Sequence, residues 1–373
     1  MKSQRVLVIG GGLAGLAAAI SAAQRGARVT LCESHAYGRD KLCGEFLSGE
    51  VAADFEALGA GDWIDALGAV PMRRAALIAA RPGAREARLD LAFPGPPGRS
   101  ITRRALEAFL AERARAAGVE LIERAPVRAL DARAGAWRFS TSAREGEVDH
   151  VICAFGKRST LDKAMDLPRA REKPETYAAA KAYFEADPGA LESDVELYLI
   201  DGGYVGLNAV EGGRIGLCAL LPGEATHDWS RLAARLSRSP ALARRLAVLG
   251  RPAGPLRGLY RFGFGPQRLV AFDARRTAFA LLAGDAARMM PPFTGDGMAV
   301  ALRSGRLAAA ALEARDPAAA YQRAYQREFR ARLFSANALH RLLLYPAAFA
   351  ALAPLVGKSP RLVEALYALT RGR

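Results

Sequence analysis

The residues best suited to chemistry begin with Gly10-x-Gly12-x-x-Gly15, set between the apolar run RVLVI and an alanine-rich stretch, with Glu33 closing the next apolar run. That spacing is weak evidence alone. Between a strand and a helix, with an acid about twenty residues on, it is the phosphate-binding turn of a dinucleotide site. Gly10 permits the tight turn and Gly12 lets backbone N–H groups approach a pyrophosphate; Leu13 and Ala14 follow, and Gly15 lets helix and strand close up. The helix N-terminus presents unpaired donors and partial positive charge to the anion. Glu33 would accept hydrogen bonds from an unphosphorylated ribose, as in FAD or NAD.

A second constellation separates those two cofactors. Gly284-Asp285 follows an apolar run, and Pro291-Pro292-Phe293-Thr294-Gly295-Asp296-Gly297 precedes Met298 and another alanine-rich stretch. An aspartate at a strand end can hold ribityl hydroxyls, which FAD has and NAD lacks. The glycine-bearing turn would open a helix whose N-terminus faces the flavin N1/O2 edge and stabilises the charge formed on reduction. Asp296 would oppose that charge, so a helix N-cap is the role read for it within this turn.

The glycine fingerprint, Arg103 ahead of Leu106-Glu107, Gly156-Lys157-Arg158-Ser159 and Gly284-Asp285 with PPFTGDG together resemble the aromatic-hydroxylase-like flavoproteins. That superfamily holds single-component FAD monooxygenases, flavin-dependent halogenases and geranylgeranyl reductases. The resemblance covers residues 1 to about 311. It implies FAD, with Arg103 near the pyrophosphate, Asp285 on the ribityl chain and Gly156 in the third motif, where Phe155 replaces the usual aspartate. The geranylgeranyl reductase-like branch is closest. Arg288 stands where hydroxylases usually carry a histidine, Gly295-Asp296-Gly297-Met298 replaces their turn, and Ala301, Ser304 and Gly305 follow in the reductase pattern. None of Trp63, Trp137 or Trp229 lies in the WxWxIP motif typical of tryptophan halogenases.

The stretch KLCGEFLSGE also fits that branch, with Lys41 near the cofactor and then Cys43-Gly44. Gly44 would let the backbone cross the flavin face. Reducing a double bond needs hydride on one carbon and a proton on the other, and Cys43 or Glu45 could deliver the proton. The plainer alternatives are a small buried hydrophobe for Cys43 and a cap or salt bridge for Glu45. Tyr204 and Asn208, on apolar strands between tight turns, would roof the substrate cavity, with packing as the plainer role for Tyr204.

The elements that must position these groups read as α/β with an α+β insertion. A Rossmann-like FAD-binding domain is expected from residues 1–70, 96–168 and 270–315, and an antiparallel-sheet substrate domain from 71–95 and 169–269. Residues 316–373 read as helices, too broken at Pro346 and Pro354 to span a membrane; they are ranked first as packing on the rest and second as peripheral membrane contact, with a cap over a cavity for a long lipid-like substrate as a further alternative.

Composition narrows the classes. The 373 residues carry a net charge of +15, yet the arginines are spread along alanine-rich helices, which argues for a basic surface and against nucleic acid. The 4 cysteines lie far apart and the 4 histidines lack ligand spacing, so neither disulfides nor a metal is expected, and the chain reads as cytoplasmic. The function read is an FAD-dependent oxidoreductase that reduces a C=C bond of a bulky apolar substrate, isoprenoid or polyketide-like. NAD(P)H would serve as a transient electron donor, because a second dinucleotide fingerprint is absent. Alternatives are a monooxygenase using NAD(P)H and O2, a halogenase, and a flavin-binding carrier.

Overall fold

In the computed structural model, residues 4–133, 135–157, 159–165, 167, 177–223, 226–258, 268–273 and 278–370 are described. Arg158 of the third motif and the expected segment boundary at 168–169 lie outside the described residues.

The strand Arg5–Ile9 pairs in parallel with Arg28–Cys32 on one side and His150–Cys153 on the other. Glu120–Ile122 and Phe279–Leu282 extend the sheet in parallel, and Val270–Phe272 closes it antiparallel, giving 6 strands. Val6, Leu7 and Val8 are fully buried, as strands covered on both faces must be. The crossover helix Leu13–Gln24 meets the helix Gly297–Ala311 along an alanine-rich seam. A Cβ at Gly305 would lie 2.1 Å from the Ala14 carbonyl oxygen, so glycine is required for that approach. Ser304 Oγ accepts the Gly284 N–H at 2.9 Å. Ser304 and Gly305 thus build the cofactor-binding domain itself.

A second sheet of 7 strands runs in the order Arg257–Gly258, Tyr177–Phe184, Arg214–Pro222, Gly203–Val210, Val195–Ile200, Arg74–Ala79, Ala87–Ala92. Its pairings are antiparallel except that Val195–Ile200 and Arg74–Ala79 run parallel. Side chains alternate between its faces. Ala76, Ile78, Val205 and Leu207 pack under the helices Trp229–Leu236 and Pro240–Leu249. Leu77, Ala79, Tyr204 and Leu220 face the other way, toward Phe293, Leu343 and Phe349.

Two polar clamps tie the second sheet to the segment that leads into the helix Arg103–Ala116. Asn208 Nδ2 donates to Ser100 Oγ at 2.7 Å, and Glu211 accepts the Thr102 N–H at 2.9 Å together with the Thr102 hydroxyl. Thr102 in turn caps the helix Arg103–Ala116. The C-terminal helices begin with Pro317–Leu343, anchored by the Tyr321 hydroxyl on the Leu282 carbonyl at 2.8 Å. Pro346 starts the next helix, Pro346–Gly357, where proline lacks only a donor that the first turn leaves unpaired. The axis turns by 113° there, laying Phe349 and Ala353 against the second sheet.

A candidate flavin site continuous with an apolar chamber

One cavity of about 790 Å³ runs from the glycine turn, past residues 41–46 and 284–298, to the C-terminal helices. Its first end is built by steric necessity. Gly10 has φ +99°, and a Cβ there would sit 2.6 Å from the Ala154 carbonyl; at Gly15 it would sit 1.8 Å from the Gly10 carbonyl. The open side of Gly12 faces Arg103 Nη2 and Lys41 Nζ, 3.8 and 3.9 Å from where its Cβ would be. Glu107, buried, holds both cations in place, with Lys41 Nζ at 2.6 Å and Arg103 on its other oxygen. Burial lowers the Lys41 pKa against the pull of Glu107. Arg103 Nε is buried without a partner among the described residues, so a donor is left for an anion.

Glu33 accepts the N–H groups of Gly11 at 2.7 Å and His35 at 3.0 Å. Burial pushes its carboxyl up, but the Lys41 charge and those N–H groups outweigh it and hold Glu33 below its ordinary range. It is a fixed, ionised acceptor beside the glycine turn.

At the second turn, Gly284 (φ +60°) lets the chain pass Ala14, and Gly295 (φ +72°) lets Phe46 approach where a Cβ would lie 2.6 Å from its ring. Asp285, Pro292, Thr294, Gly297 and Met298 line the cavity here, and Thr294 Oγ1 is buried without a partner among the described residues. Asp296 differs from its expected role. It stands just before the helix Gly297–Ala311 in helical backbone geometry and makes no capping hydrogen bond. Fully buried, it faces Arg332 at 2.7 Å instead, and Arg332 also meets Glu50 at 2.5 Å. An arginine of the C-terminal region therefore neutralises the acid that would have opposed a reduced flavin, and leaves the helix N-terminus to face the cavity.

Between the turns lies the stretch that carries Cys43, Gly44 and Glu45, all lining the cavity. Cys43 is half-buried, and its sulfur accepts the Glu45 N–H at 3.3 Å. Glu45 adopts φ +58°, a region that side chains avoid. Its carboxylate explains how it stays there: Lys181 Nζ lies at 2.5 Å, the Tyr183 hydroxyl donates at 2.8 Å and the Arg103 N–H at 3.0 Å. Lys181 also donates to the Cys43 carbonyl at 3.0 Å. Burial raises the Glu45 pKa against these partners. The salt-bridge alternative for Glu45 is therefore met, inside the site.

Tyr204 lies edge-on to Phe293 with centroids 5.4 Å apart, and it lines the cavity together with Asn208, whose amide is held by Ser100. Of the residues expected to touch cofactor or substrate, Gly15 and Asp296 do not line the cavity; Gly10, Gly12, Glu33, Lys41, Cys43, Gly44, Glu45, Arg103, Gly156 and Asp285 are among those that do. Sequence reasoning missed Lys181, Tyr183 and Arg332. A signal existed for Lys181, a lone charge inside the strand YAAAKAYF, and it is 1% exposed. The far wall answers one of the alternatives for the C-terminal segment, a cap over the substrate cavity: Leu342, Leu343, Phe349, Leu352 and Val356 of the C-terminal helices close the chamber.

A family model described as FAD binding domain matches residues 3–315. The chain belongs to that family. Menaquinone reductase of Mycobacterium tuberculosis (strain CDC 1551 / Oshkosh) is 27% identical over 97% of this chain and 89% of its own length. Menaquinone reductase of Mycolicibacterium smegmatis is 28% identical over 82% of this chain and 75% of its own. Among solved structures, Pseudomonas aeruginosa PqsL in complex with 2-aminobenzoylacetate matches with TM-score 0.75 and 20% identity over 94% of this chain and 99% of that one. CmlS, a flavin-dependent halogenase, matches with TM-score 0.67 and 21% identity over 90% of this chain and 63% of that one. The protein is an FAD-dependent oxidoreductase. Its residues fit the cofactor: Arg103 Nε and the Gly12 turn suit a pyrophosphate, Glu33 a ribose, Asp285 a ribityl chain, and the 294–298 turn the ring.

Proposed function

We propose that this enzyme belongs with the geranylgeranyl reductase-like flavoproteins and reduces a carbon–carbon double bond in a bulky, isoprenoid-bearing substrate. One observation carries the reading: the cavity continues past the flavin position as a chamber walled by aliphatic and aromatic side chains. Leu77, Leu89, Leu197 and Leu220 line it from the sheet, with Leu343 and Phe349 opposite. Such walls select apolar bulk and supply few polar contacts to orient a small polar ring. The relatives named menaquinone reductases, aligned over most of the chain, support the same class of lipid-like substrate.

When bound, FAD supplies hydride for one alkene carbon, and NAD(P)H acts as the transient donor of its two electrons. The chain supplies the rest. Cys43, on the loop that crosses the cavity, is the thiol placed to give the other carbon its proton, and solvent restores that proton. Glu45 and Lys181 position the loop through the Cys43 carbonyl. The apolar walls exclude water from the reacting face.

The test is anaerobic. Holoenzyme reduced with NADPH, NADH or dithionite is mixed with a long-tailed prenylated naphthoquinone, and the flavin spectrum and product mass are followed. Reoxidation with a product still heavier by two hydrogens after air has returned any quinol to the quinone supports the proposal; a gain of two hydrogens that air reverses replaces it with reduction of the quinone ring. A product formed only with oxygen uptake and carrying an added oxygen replaces it with hydroxylation; a halide-dependent product replaces it with halogenation. Reoxidation by oxygen alone, with no product, would leave a carrier or oxidase.

A further inference from the structure

The C-terminal helices present a surface unlike the rest of the molecule. The helix Pro346–Gly357 contains no charged residue on any side, a composition expected of a buried or lipid-facing helix. It nonetheless lies on the outside, with Phe349 and Ala353 turned inward and Leu352 and Leu355 exposed at 39% and 64%. Tyr345, at its start, and Phe334, on the preceding helix, are exposed at 68% and 77%. Large apolar side chains grouped in this way mark an interaction surface.

Charge says what kind. No aspartate or glutamate occurs between Glu328 and Glu364, and the same interval that carries the apolar side chains carries exposed Arg341, Lys358 and Arg361. Exposed apolar side chains together with cations match an anionic bilayer surface, where side chains enter the headgroup boundary and the cations meet lipid phosphates. Among the described residues no single helix is long and apolar enough to cross a membrane, and the two helices meet at 113°, so the fit is to lying on the surface. Leu342 and Leu352 join the patch to the chemistry, because both are over a third exposed and both line the cavity.

We infer that this face docks on an anionic phospholipid bilayer and that the distal end of the cavity opens onto the lipid. Direct uptake of substrate from the bilayer rests on the functional reading above; the docking does not.

The experiment uses full-length, FAD-loaded protein and vesicles of phosphatidylcholine alone or mixed equally with phosphatidylglycerol, read by co-sedimentation without turnover. Wild type is expected to pellet with the anionic vesicles, less so with neutral vesicles or at raised salt. The variant Phe334→Ser/Tyr345→Ser/Leu355→Ser changes residues outside the cavity. It should keep its flavin and its dithionite bleaching while partitioning at least about tenfold less. A second variant, Arg341→Gln/Lys358→Gln/Arg361→Gln, should lose the preference for anionic over neutral vesicles, and it keeps the test decisive if the first folds poorly. Wild type remaining in solution, or both variants partitioning like wild type, would overturn the docking. So would a wild-type dimer in solution that the first variant dissociates, since a second copy would then cover the face. Vesicle binding without reductase activity would overturn the functional reading alone.

Discussion

The two ends of the cavity are built on opposite principles. At the flavin end, backbone is brought close by glycines and charge is fixed in pairs: Lys41 and Arg103 on Glu107, Lys181 on Glu45, Arg332 on Asp296. At the far end, leucines and aromatics of a sheet and of the helices Pro317–Leu343 and Pro346–Gly357 meet with few polar atoms between them. Geometry at the first end is set by a few contacts that tolerate no side chain; at the second it is a matter of volume. Single substitutions should therefore act all-or-none at the flavin end and by degree at the apolar end.

The sharpest way to break this contrast is Gly15→Val. With even a Cβ placed 1.8 Å from the Gly10 carbonyl, the turn has to move. Purified protein is expected to lose nearly all bound flavin, at least about a hundredfold in affinity, read from its absorbance and by titration with FAD. Next in size is Lys181→Met, which leaves Glu45 buried without its cation at φ +58°. Denaturant unfolding should show a loss of about 3–5 kcal/mol, of which the added change Glu45→Gln restores a large part. If the double variant is no better than the single, the pair is not what holds this loop.

Effects at the apolar end are graded. Leu91, half-buried, lines the chamber from the sheet. Leu91→Trp should keep FAD and its bleaching by dithionite while raising KM for a long apolar substrate by about tenfold, on the order of 1–2 kcal/mol for displaced apolar contact. Equal loss of flavin would mean that the two ends are not separable.

The smallest effect concerns His340, buried edge-on to Tyr177, where burial lowers its pKa from 6.5 to about 4. A histidine whose folded pKa is depressed stabilises the fold above its unfolded pKa and loses that contribution as pH falls. Wild-type Tm should therefore drop more steeply than that of His340→Asn between pH 6.5 and about 4. Parallel curves would show that His340 is not held neutral.

The same contrast explains what was legible in the sequence. Gly10, Gly12, Gly15, Glu33 and the 294–298 turn could be read because local backbone chemistry confines each to few residue types. The opening strand–helix–strand unit and the antiparallel strands from 195 to 221 followed from apolar runs and glycine turns, though the parallel pairing of Arg74–Ala79 with Val195–Ile200 did not, since no turn joins them. Asp296 was misassigned because its partner Arg332 lies in a distant helix. Lys181 and Glu45 are likewise joined across 136 positions, the difference between their residue numbers. The chamber was legible as an apolar substrate site roofed by Tyr204 and Asn208, with a cap by the C-terminal segment as one alternative among three. Its closure by the C-terminal helices depends on the bend at Pro346, and leucines that pack and leucines that line a cavity look alike in a sequence.

The most direct test of one site spanning both ends is the affinity of oxidised holoenzyme for prenylated naphthoquinones of increasing tail length, read from perturbation of the flavin spectrum. If the chamber adjoins the flavin, each added isoprene unit should tighten binding at least about tenfold until the wall is reached, given ~0.8 kcal/mol per buried CH2. Affinity independent of tail length, or no flavin perturbation by any of them, would contradict the account.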